Sequence, residues 1–440
     1  MFLSLLIAVS SSYSLLAQLV GGSTYPINGT NNPPTSFGTV AQAFTYLNTN
    51  GVSGTGTITI EISSGYTGET GVIPALTAFT GMSETRPIVL KPASGQSPTI
   101  STAPAANAAV IRLNGVSWFT IDGSNNGTNS QDLTVTTSST IATVRLVDLI
   151  PTSTNPTKLN VIKNVRLRGN STTTAINTLY GIYLGSGTGT GAALSGNNDS
   201  NLFQNNLIEA VRNGIYLRGT NNSTMDRYNR VINNTIGGTI APGGGSPTTF
   251  IGGVSAFTGS FGVFYNSQTN GIISGNLIRN NIQANYYFRG IGIEALSSTG
   301  SANTNILIEK NKIHNIIYNG TSGYGMNGIK LELNSASSPA NIRIQNNMIW
   351  NMSSDGDNPN NSFNYGLFAI ALTQNGTTNI SNAGVSIYYN SINLYDNGIN
   401  KLGSTWTSPV SAAVATDLYI TGGLTIRNNI FKNTLPSNRT

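Results

Sequence analysis

Short apolar strands that alternate with polar positions recur along the last two thirds of the chain, and consecutive strands meet at an asparagine. The pattern is apolar-x-Ile-x-x-Asn-x-Ile, with clear copies at 306–315 and 342–351. In the first copy, period-2 alternation directs Ile308 and Ile313 inward and Glu309 and Lys312 outward. Asparagine suits the corner because its amide bonds to neighbouring backbone and because it tolerates left-handed dihedral angles.

The corner asparagine returns at intervals of 28 to 43 residues, at Asn206, Asn234, Asn276, Asn311, Asn347, Asn390 and Asn429. A second marker, glycine followed by an apolar-x-apolar strand, falls between the corners at Gly181, Gly214, Gly262, Gly290, Gly328 and Gly366. Three strands per turn with variable loops predict a parallel β-helix, in which each coil buries apolar residues against the coils above and below. The corner asparagines should then form a hydrogen-bonded ladder with steps of about 4.8 Å.

One amphipathic helix is predicted near the N-terminus, over residues 39–47. Its apolar positions follow the i, i+3, i+4, i+7 spacing, at Val40, Ala43, Phe44 and Leu47. A strand at 57–62 follows it. A helix laid across the open end of a solenoid covers unpaired strand edges, so this helix is expected to act as a cap.

The order of helix, strand, Gly65-Tyr66 and coils with asparagine corners resembles right-handed parallel β-helix proteins of the pectate-lyase-like group, over about residues 36–433. The resemblance implies a right-handed, all-β solenoid, and the strand count predicts about ten coils. Segments 86–91 and 116–124, with Leu-Ala-Gln at 16–18, resemble secreted surface proteins of Bacteroidota exported by type IX secretion.

No proline-rich or charged linker divides the chain, so one β-helix domain is expected over 18–440, with cap and first strand at 36–75 and coils at 76–433. Residues 1–17 are predicted to be a signal peptide cleaved after Ala17, because residues 2–9 form an apolar run of suitable length. No basic residue precedes that run, so a retained first strand or hydrophobic cap is the alternative. The run is too short to span a bilayer.

The last repeat, at 424–431, is followed by no helix or polar cap. We therefore expect either that the sequence continues in a longer chain or that the molecules associate end to end. Only 9% of residues are charged. The chain has no cysteine, and this excludes disulfides and thiolate metal sites.

Candidate chemistry is sparse, because the 16 acidic residues are thinly spread. Glycosidases of this fold need carboxylates within about 10 Å of each other. Glu294 and Glu332 follow the outward positions of successive glycine strands and should lie side by side, although an ion-pair cluster with Lys330 is the favoured interpretation. Asp355 and Asp357 could offer oxygen ligands to Ca²⁺, but a solvated turn is favoured, and no cofactor is expected.

The single histidine, His314, lies outward in the repeat and is predicted to stack on Trp350 one coil later. It lacks an acidic partner in the repeat, so it is weak evidence for catalysis. No Ser-His-Asp constellation, phosphate loop or nucleic-acid recognition module is found, and nucleic acid is not an expected partner.

Two sets of residues indicate binding. Residues 158–230 hold eight basic and three acidic side chains, and the band suits an acidic polymer, with Lys163, Arg166, Arg168 and Arg218 as candidate contacts. Aromatic residues after the recurring glycines are predicted to point outward in line and to stack on sugars, at Tyr183, Tyr216, Phe264 and Phe368. The alternatives are scattered solubilising charge and rings that are covered by loops.

Two functions follow. The first is an exported structural or adhesive β-helix that binds acidic or neutral polysaccharide without catalysis, as a filament subunit or part of a longer adhesin. The second is a polysaccharide lyase or glycoside hydrolase acting on an acidic glycan in a groove of the same fold. The sparse acids favour the first.

Overall fold

The computed structural model describes residues 17–171, 176–185, 198–219, 225–239, 251–252, 259–283, 286–294, 302–318, 324–335, 338–354, 366–395 and 411–435. Within these ranges the chain forms three long sheets, named A, B and C, in which every strand pairs in parallel with strands of the neighbouring coils.

Sheet A has twelve strands: β2 (Thr24–Ile27), β4 (Ile58–Ile62), β6 (Ile88–Pro92), β9 (Phe119–Asp122), β12 (Val161–Lys163), β15 (Leu202–Gln204), β19 (Arg230–Ile232), β23 (Ile272–Ser274), β27 (Leu307–Glu309), β30 (Ile342–Gln345), β33 (Val385–Tyr388) and β36 (Leu424–Arg427). Sheet B has ten: β7 (Thr99–Thr102), β10 (Leu133–Thr137), β13 (Val165–Arg168), β16 (Leu207–Glu209), β20 (Thr235–Ile236), β24 (Leu277–Gln283), β28 (Lys312–Tyr318), β31 (Met348–Met352), β34 (Ser391–Tyr395) and β37 (Ile430–Thr434). Sheet C also has ten: β5 (Leu76–Thr77), β8 (Ala109–Asn114), β11 (Arg145–Ile150), β14 (Tyr180–Leu184), β17 (Asn213–Arg218), β21 (Ser260–Asn266), β25 (Phe288–Ile293), β29 (Met326–Leu333), β32 (Leu367–Gln374) and β35 (Ser411–Thr416).

From β6 onward the coils pass through sheets A, B and C in that order, and the fold is a right-handed parallel β-helix, as predicted. Two small sheets accompany it, one of β1 (Leu19–Val20) with β3 (Val52–Ser53), the other of β18 (Asp226–Arg227), β22 (Gln268–Thr269) and β26 (Asn303–Thr304). The core lies between the three sheets, because alternate residues of each strand point inward and pack on the same position of the next coil. The repeat isoleucines form such stacks and are buried, at Ile308, Ile344, Ile387, Ile313, Ile349 and Ile392.

The recurring glycines let sheet C lie close to sheet B. A Cβ atom on Gly290 would lie 2.8 Å from Cγ2 of Ile313, and one on Gly328 would lie 2.9 Å from Cγ2 of Ile349. A methyl group at either position would overpack the core. In the next coil Ala369 occupies this place in register, so the prediction that Gly366 marks it is wrong.

The corner between sheets A and B carries the asparagine ladder. The Nδ2 atom of each corner residue donates to Oδ1 of the next at 2.9–3.0 Å, from Asn206 through Asn234, Asn276, Asn311, Asn347 and Asn390 to Asn429. The left-handed residue is the one before the ladder position, as at Asn205 and Asn346, with φ of 53° and 55°. Hydrogen bonding between coils, and not tolerance of positive φ, therefore explains asparagine at the ladder positions.

The cap is helix α1 (Val40–Asn50), with Thr39 as its N-cap. The carboxylate of Glu69 accepts hydrogen bonds from the backbone N–H groups of Val40 and Ala41 at 2.9 and 3.1 Å, which satisfies donors at the helix start. The prediction that the first strand lies within 36–75 is wrong, since β2 precedes the helix and pairs with β4. Among the described residues, no helix is long and apolar enough to cross a membrane.

Candidate functional site

Buried charged and aromatic side chains gather on the outward side of sheet C. Register across the coils aligns two outward columns. The first runs through Arg112, Asp148, Tyr183, Tyr216, Phe264, Gly292 and Lys330. The second runs through Arg145 and Tyr180 at one end, and through Phe261, Arg289, Asn327 and Phe368 further along. Charged groups therefore occupy both ends of this face, and rings lie between them.

At one end lies the carboxylate cluster, which comprises Arg289, Glu294, Lys330 and Glu332. The Nε atom of Arg289 lies 2.6 Å from Oε1 of Glu294, and Nζ of Lys330 lies 4.0 Å from the same oxygen. The Lys330 ammonium also approaches Oε2 of Glu332 at 3.4 Å. The sequence predicted the two glutamates side by side, and the structure joins them through one lysine.

Burial sets the electrostatics of this cluster. It raises the pKa of Glu332, against the opposing effect of Lys330, and the nearby Glu294 carboxylate raises that pKa further. Burial and the adjacent Arg289 lower the pKa of Lys330, which the two carboxylates partly offset. The side chain of Glu332 is 19% exposed, compared with 6% for Lys330 and 8% for Glu294. Glu332 is thus the acidic group of the cluster that is most accessible to a ligand.

Gly292 makes room for the cluster. A Cβ atom at this position would lie 2.7 Å from Cδ1 of Phe261 and 3.3 Å from Oε1 of Glu294. Any larger residue would therefore push against both the ring and the carboxylate. The space that a side chain would fill in this coil is taken by the Phe261 ring and the Glu294 carboxylate.

The aromatic row does not offer exposed rings. Tyr183, Tyr216 and Phe264 do lie in line, and neighbouring rings stack at interplanar angles of 14° and 15°. Tyr183 and Phe264 are buried, however, and Tyr216 is only partly accessible. The prediction that these rings stack on sugars is wrong for Tyr183 and Phe264, because strand alternation gives the direction of a side chain but not what covers it.

Phe368 fails the same prediction for a second reason. It pairs in register with Asn327, whereas Ala371 is the partner of Lys330, so Phe368 lies in the other outward column. It is also buried. The shift of three residues follows from taking Gly366 in place of Ala369 as the marker.

At the other end of sheet C, Asp148 is shared by two arginines. Its Oδ2 atom lies 2.7 Å from Nη2 of Arg112 and 3.3 Å from Nη1 of Arg145, and the carboxylate is fully buried. The Arg145 guanidinium also lies 4.1 Å above the ring of Tyr183. Sequence reasoning missed this group, although strand β11 shows the signal, an Arg and an Asp within an otherwise apolar strand.

The basic residues of segment 158–230 do not follow one face. Lys163 lies on sheet A, Arg166 and Arg168 on sheet B, and Arg218 on sheet C. Asp122 pairs with Lys163 at 3.0 Å, and Glu209 lies 2.6 Å from Arg166 and 3.9 Å from Arg168. The side chains of Lys163, Arg166 and Arg168 are 36–43% exposed. Glycan binding by these residues remains a prediction.

A second polar row, also missed from the sequence, lies at the corner between sheets C and A. Side-chain hydrogen bonds join Asn160 to Asn201, Asn201 to Asn229 and Asn229 to Gln268. Beside it, the buried carboxyl of Asp226 accepts from Asn198 and Gln268. Burial raises the pKa of Asp226 to about 7.

His314 and Trp350 stack at 4.3 Å, as predicted, and burial lowers the pKa of His314. Asp355 and Asp357 lie outside the described residues. Within the described ranges, no three His, Cys, Asp or Glu side chains form a group that could hold a metal ion.

No protein-family model and no curated protein matches this chain. Among solved structures, it is similar to the Dettilon tailspike protein (14% identity, TM-score 0.43), covering 88% of this chain and 64% of that one. It is also similar to a GH136 lacto-N-biosidase from Eubacterium ramulus (9% identity, TM-score 0.41), covering 93% of this chain and 67% of that one. A third similar structure is pectin methylesterase PemA from Erwinia chrysanthemi (11% identity, TM-score 0.31), covering 80% of this chain and 89% of that one. The chain thus spans less than two thirds of the tailspike's length, and these similarities carry no residue role.

Proposed function

We propose that this chain is an extracellular or cell-surface protein that cleaves polysaccharide at the carboxylate cluster of sheet C. The observation that carries the proposal is the approach of Glu294 and Glu332 to one ammonium group, at 4.0 and 3.4 Å. Two carboxylates that share a lysine are no farther apart than the pairs of glycosidases, which are separated by roughly 5 to 9.5 Å.

The two glutamates differ in environment, as an acid and its partner must. Glu332 has a raised pKa and an accessible side chain, so it is the group that donates a proton to the glycosidic oxygen as the C–O bond breaks. Glu294 is the ion-pair partner of Arg289 and faces the positive charge that develops on the sugar. Lys330 holds the two carboxylates in place. Water then adds its hydroxyl to the sugar cation and gives its remaining proton to the Glu332 carboxylate, which restores the acid.

The second candidate is polysaccharide binding without catalysis, in an adhesive or filament-forming protein. The observation that favours it is that each carboxylate of the cluster already has a cationic partner, as in a structural ion pair. Under this hypothesis a glycan that is not cleaved binds at the cluster on sheet C or at the partly exposed Arg166 and Arg168 on sheet B.

Release of reducing ends from a panel of acidic and neutral polysaccharides separates the two functions. Cleavage should fall at least 100-fold in Glu332→Gln and in Glu294→Gln, since each removes one half of the acid pair. Glu309→Gln is the matched control, because Glu309 lies on sheet A and interacts there with Lys310 and Gln345. Retention of the unaltered chain in polysaccharide gels, with no cleavage of any polymer, would favour the second candidate.

Export of the chain is part of both proposals and rests on the apolar leader at residues 2–9. N-terminal sequencing of the protein recovered outside the producing cells tests it, and the expected first residue is Gln18. A mature protein that starts at Met1 would support the alternative of a retained strand or cap.

A further inference from the structure

An open groove lies on the outward side of sheet A, across the coils of β30, β33 and β36. Its volume is about 370 Å³, and the residues that line it include Asn341, Arg343, Asn382, Gly384, Ser386 and Thr425. The carboxylate cluster lies on sheet C, so this groove is a separate site.

Side-chain size explains why the surface is hollow at this point. Leu307, Arg343, Ser386 and Thr425 occupy one outward column of sheet A in successive coils. The column changes from long to short side chains after Arg343, which lowers the floor of the groove across two coils. Arg343 therefore lies at the edge of the hollow.

The groove is electropositive. None of the residues that line it is acidic, and Arg343 is its single charged residue. Arg343 is exposed, and its guanidinium makes no hydrogen bond or ion pair with any residue in the described ranges. In contrast, Lys163 and Arg166 are each paired with an acid of a neighbouring coil. Arg343 thus remains available for an anionic ligand.

Polar groups suited to sugar hydroxyls surround this cation. Amides come from Asn341 and Asn382, and hydroxyls from Ser386 and Thr425. On the strand that carries Ser386, Tyr388 also points outward, and Tyr389 at the strand end is 57% exposed. Exposed rings beside a polar groove offer a surface for the apolar face of a sugar.

We propose that this groove binds an acidic sugar unit of a polysaccharide, with the carboxylate or sulfate on Arg343 and the hydroxyls on the amides and hydroxyls of the floor. Arginine suits this task because its planar guanidinium can hold two oxygens of one anion at once. Binding here does not require cleavage at sheet C, so the inference goes beyond the proposed function.

Affinity electrophoresis of the full chain in gels that contain polygalacturonate, dextran sulfate or neutral dextran tests this proposal. Arg343→Ala should weaken retardation at least fivefold in one of the acidic gels. Arg230→Ala is the matched control, because Arg230 is exposed in the same outward column of sheet A and is not part of this groove. Both variants lose one positive charge, so a difference between them reports the site and not the net charge.

A second variant, Thr425→Trp, fills the groove without changing charge and should weaken retardation as Arg343→Ala does. Equal retardation of Arg343→Ala and Arg230→Ala in both acidic gels would overturn the proposal, whether or not the filled variant folds. A loss confined to the neutral dextran gel would also overturn it. The carboxylate cluster of sheet C is the same in Arg343→Ala and Arg230→Ala, so comparing their retardation separates failure of this site from failure of the proposed catalytic cluster.

Discussion

The Nδ2 atom of Asn311 donates to Oδ1 of Asn347 at 3.0 Å, and Asn347 makes the same bond to Asn390 in the next coil. Asn347 also donates to the carbonyl of Ile308, and its Oδ1 accepts from the backbone N–H of Asn311. One buried amide thus serves three coils. Removing it leaves backbone and side-chain partners without hydrogen bonds, and unpaired buried groups are costly.

Asn347→Leu should therefore lower the free energy of unfolding by about 1 to 3 kcal/mol. Chemical denaturation followed by circular dichroism measures the change. Asn393→Leu is the matched control, because Asn393 is exposed on the outward side of β34 and should change stability little. Equal losses in the two variants would mean that the ladder bonds do not carry the effect.

A methyl group on Gly290 should destabilise the chain by overpacking. Its Cβ would lie 2.8 Å from Cγ2 of Ile313 and 2.6 Å from the carbonyl oxygen of Gly328, and the oxygen belongs to backbone that cannot easily move. Gly290→Ala is expected to cost about 1 to 3 kcal/mol. Gly71→Ala is the control, since no atom lies within 4 Å of its added Cβ. A thermal midpoint for Gly290→Ala that is no lower than that of Gly71→Ala would contradict the close approach of sheets B and C.

The sequence predicts the coils because the same core packing and the same corner hydrogen bonds recur in each coil. Ile308 and Ile344 must fill the same layer of the core, and Asn311 and Asn347 must bond to each other, so residue type and spacing return together. Where a coil departs from this pattern, the predicted register of its strands is wrong. Ala369 stands in register with Gly328, so the coil has no glycine at the marker position, and the sequence pattern gives the wrong register there.

The candidate site was less predictable, because contacts on the outward side of a strand are specific to each coil. Glu294 and Glu332 were found because they follow the same glycine marker in successive coils. Burial of Tyr183 was not predictable, since alternation is the same for a covered and an exposed residue. The second polar row has one weak signal, an asparagine five residues before the ladder position at Asn201 and Asn229.

Asp226 should make stability depend on pH. Burial raises its pKa in the folded protein to about 7 from the ordinary value of 3.8, with a smaller contribution from Asp199, so the folded state binds a proton more tightly than the unfolded state. The stabilisation from this proton is fully present below about pH 3.8. It declines as pH rises and is lost above about pH 7.

Denaturation midpoints of the unaltered chain and of Asp226→Asn, measured between pH 4 and 8, test this dependence. The difference between their free energies of unfolding should change by about 1.4 kcal/mol for each pH unit between about pH 4 and 7, in favour of the variant as pH rises, and level off above pH 7. The variant is compared by its slope with pH, because its amide can replace only some of the bonds from Asn198 and Gln268. If stability changed with pH in the same way in both proteins, Asp226 would not be the group that binds the stabilising proton.

End-to-end association remains a prediction, and the described structure offers a specific surface for it. Strand β37 pairs with β34 along one edge, and no strand in the described ranges pairs with its other edge. Its apolar residues Ile430 and Phe431 are 71% and 41% exposed. Free strand edges beside exposed apolar side chains promote pairing with another chain.

Sedimentation velocity at rising concentration should therefore show dimers or longer species. Ile430→Lys combined with Phe431→Lys should shift the distribution to monomer, because charges on an edge strand oppose pairing. Leu418→Lys is the control, as Leu418 is 77% exposed but lies outside any strand. A chain that stays monomeric at every concentration would show that this edge is already protected.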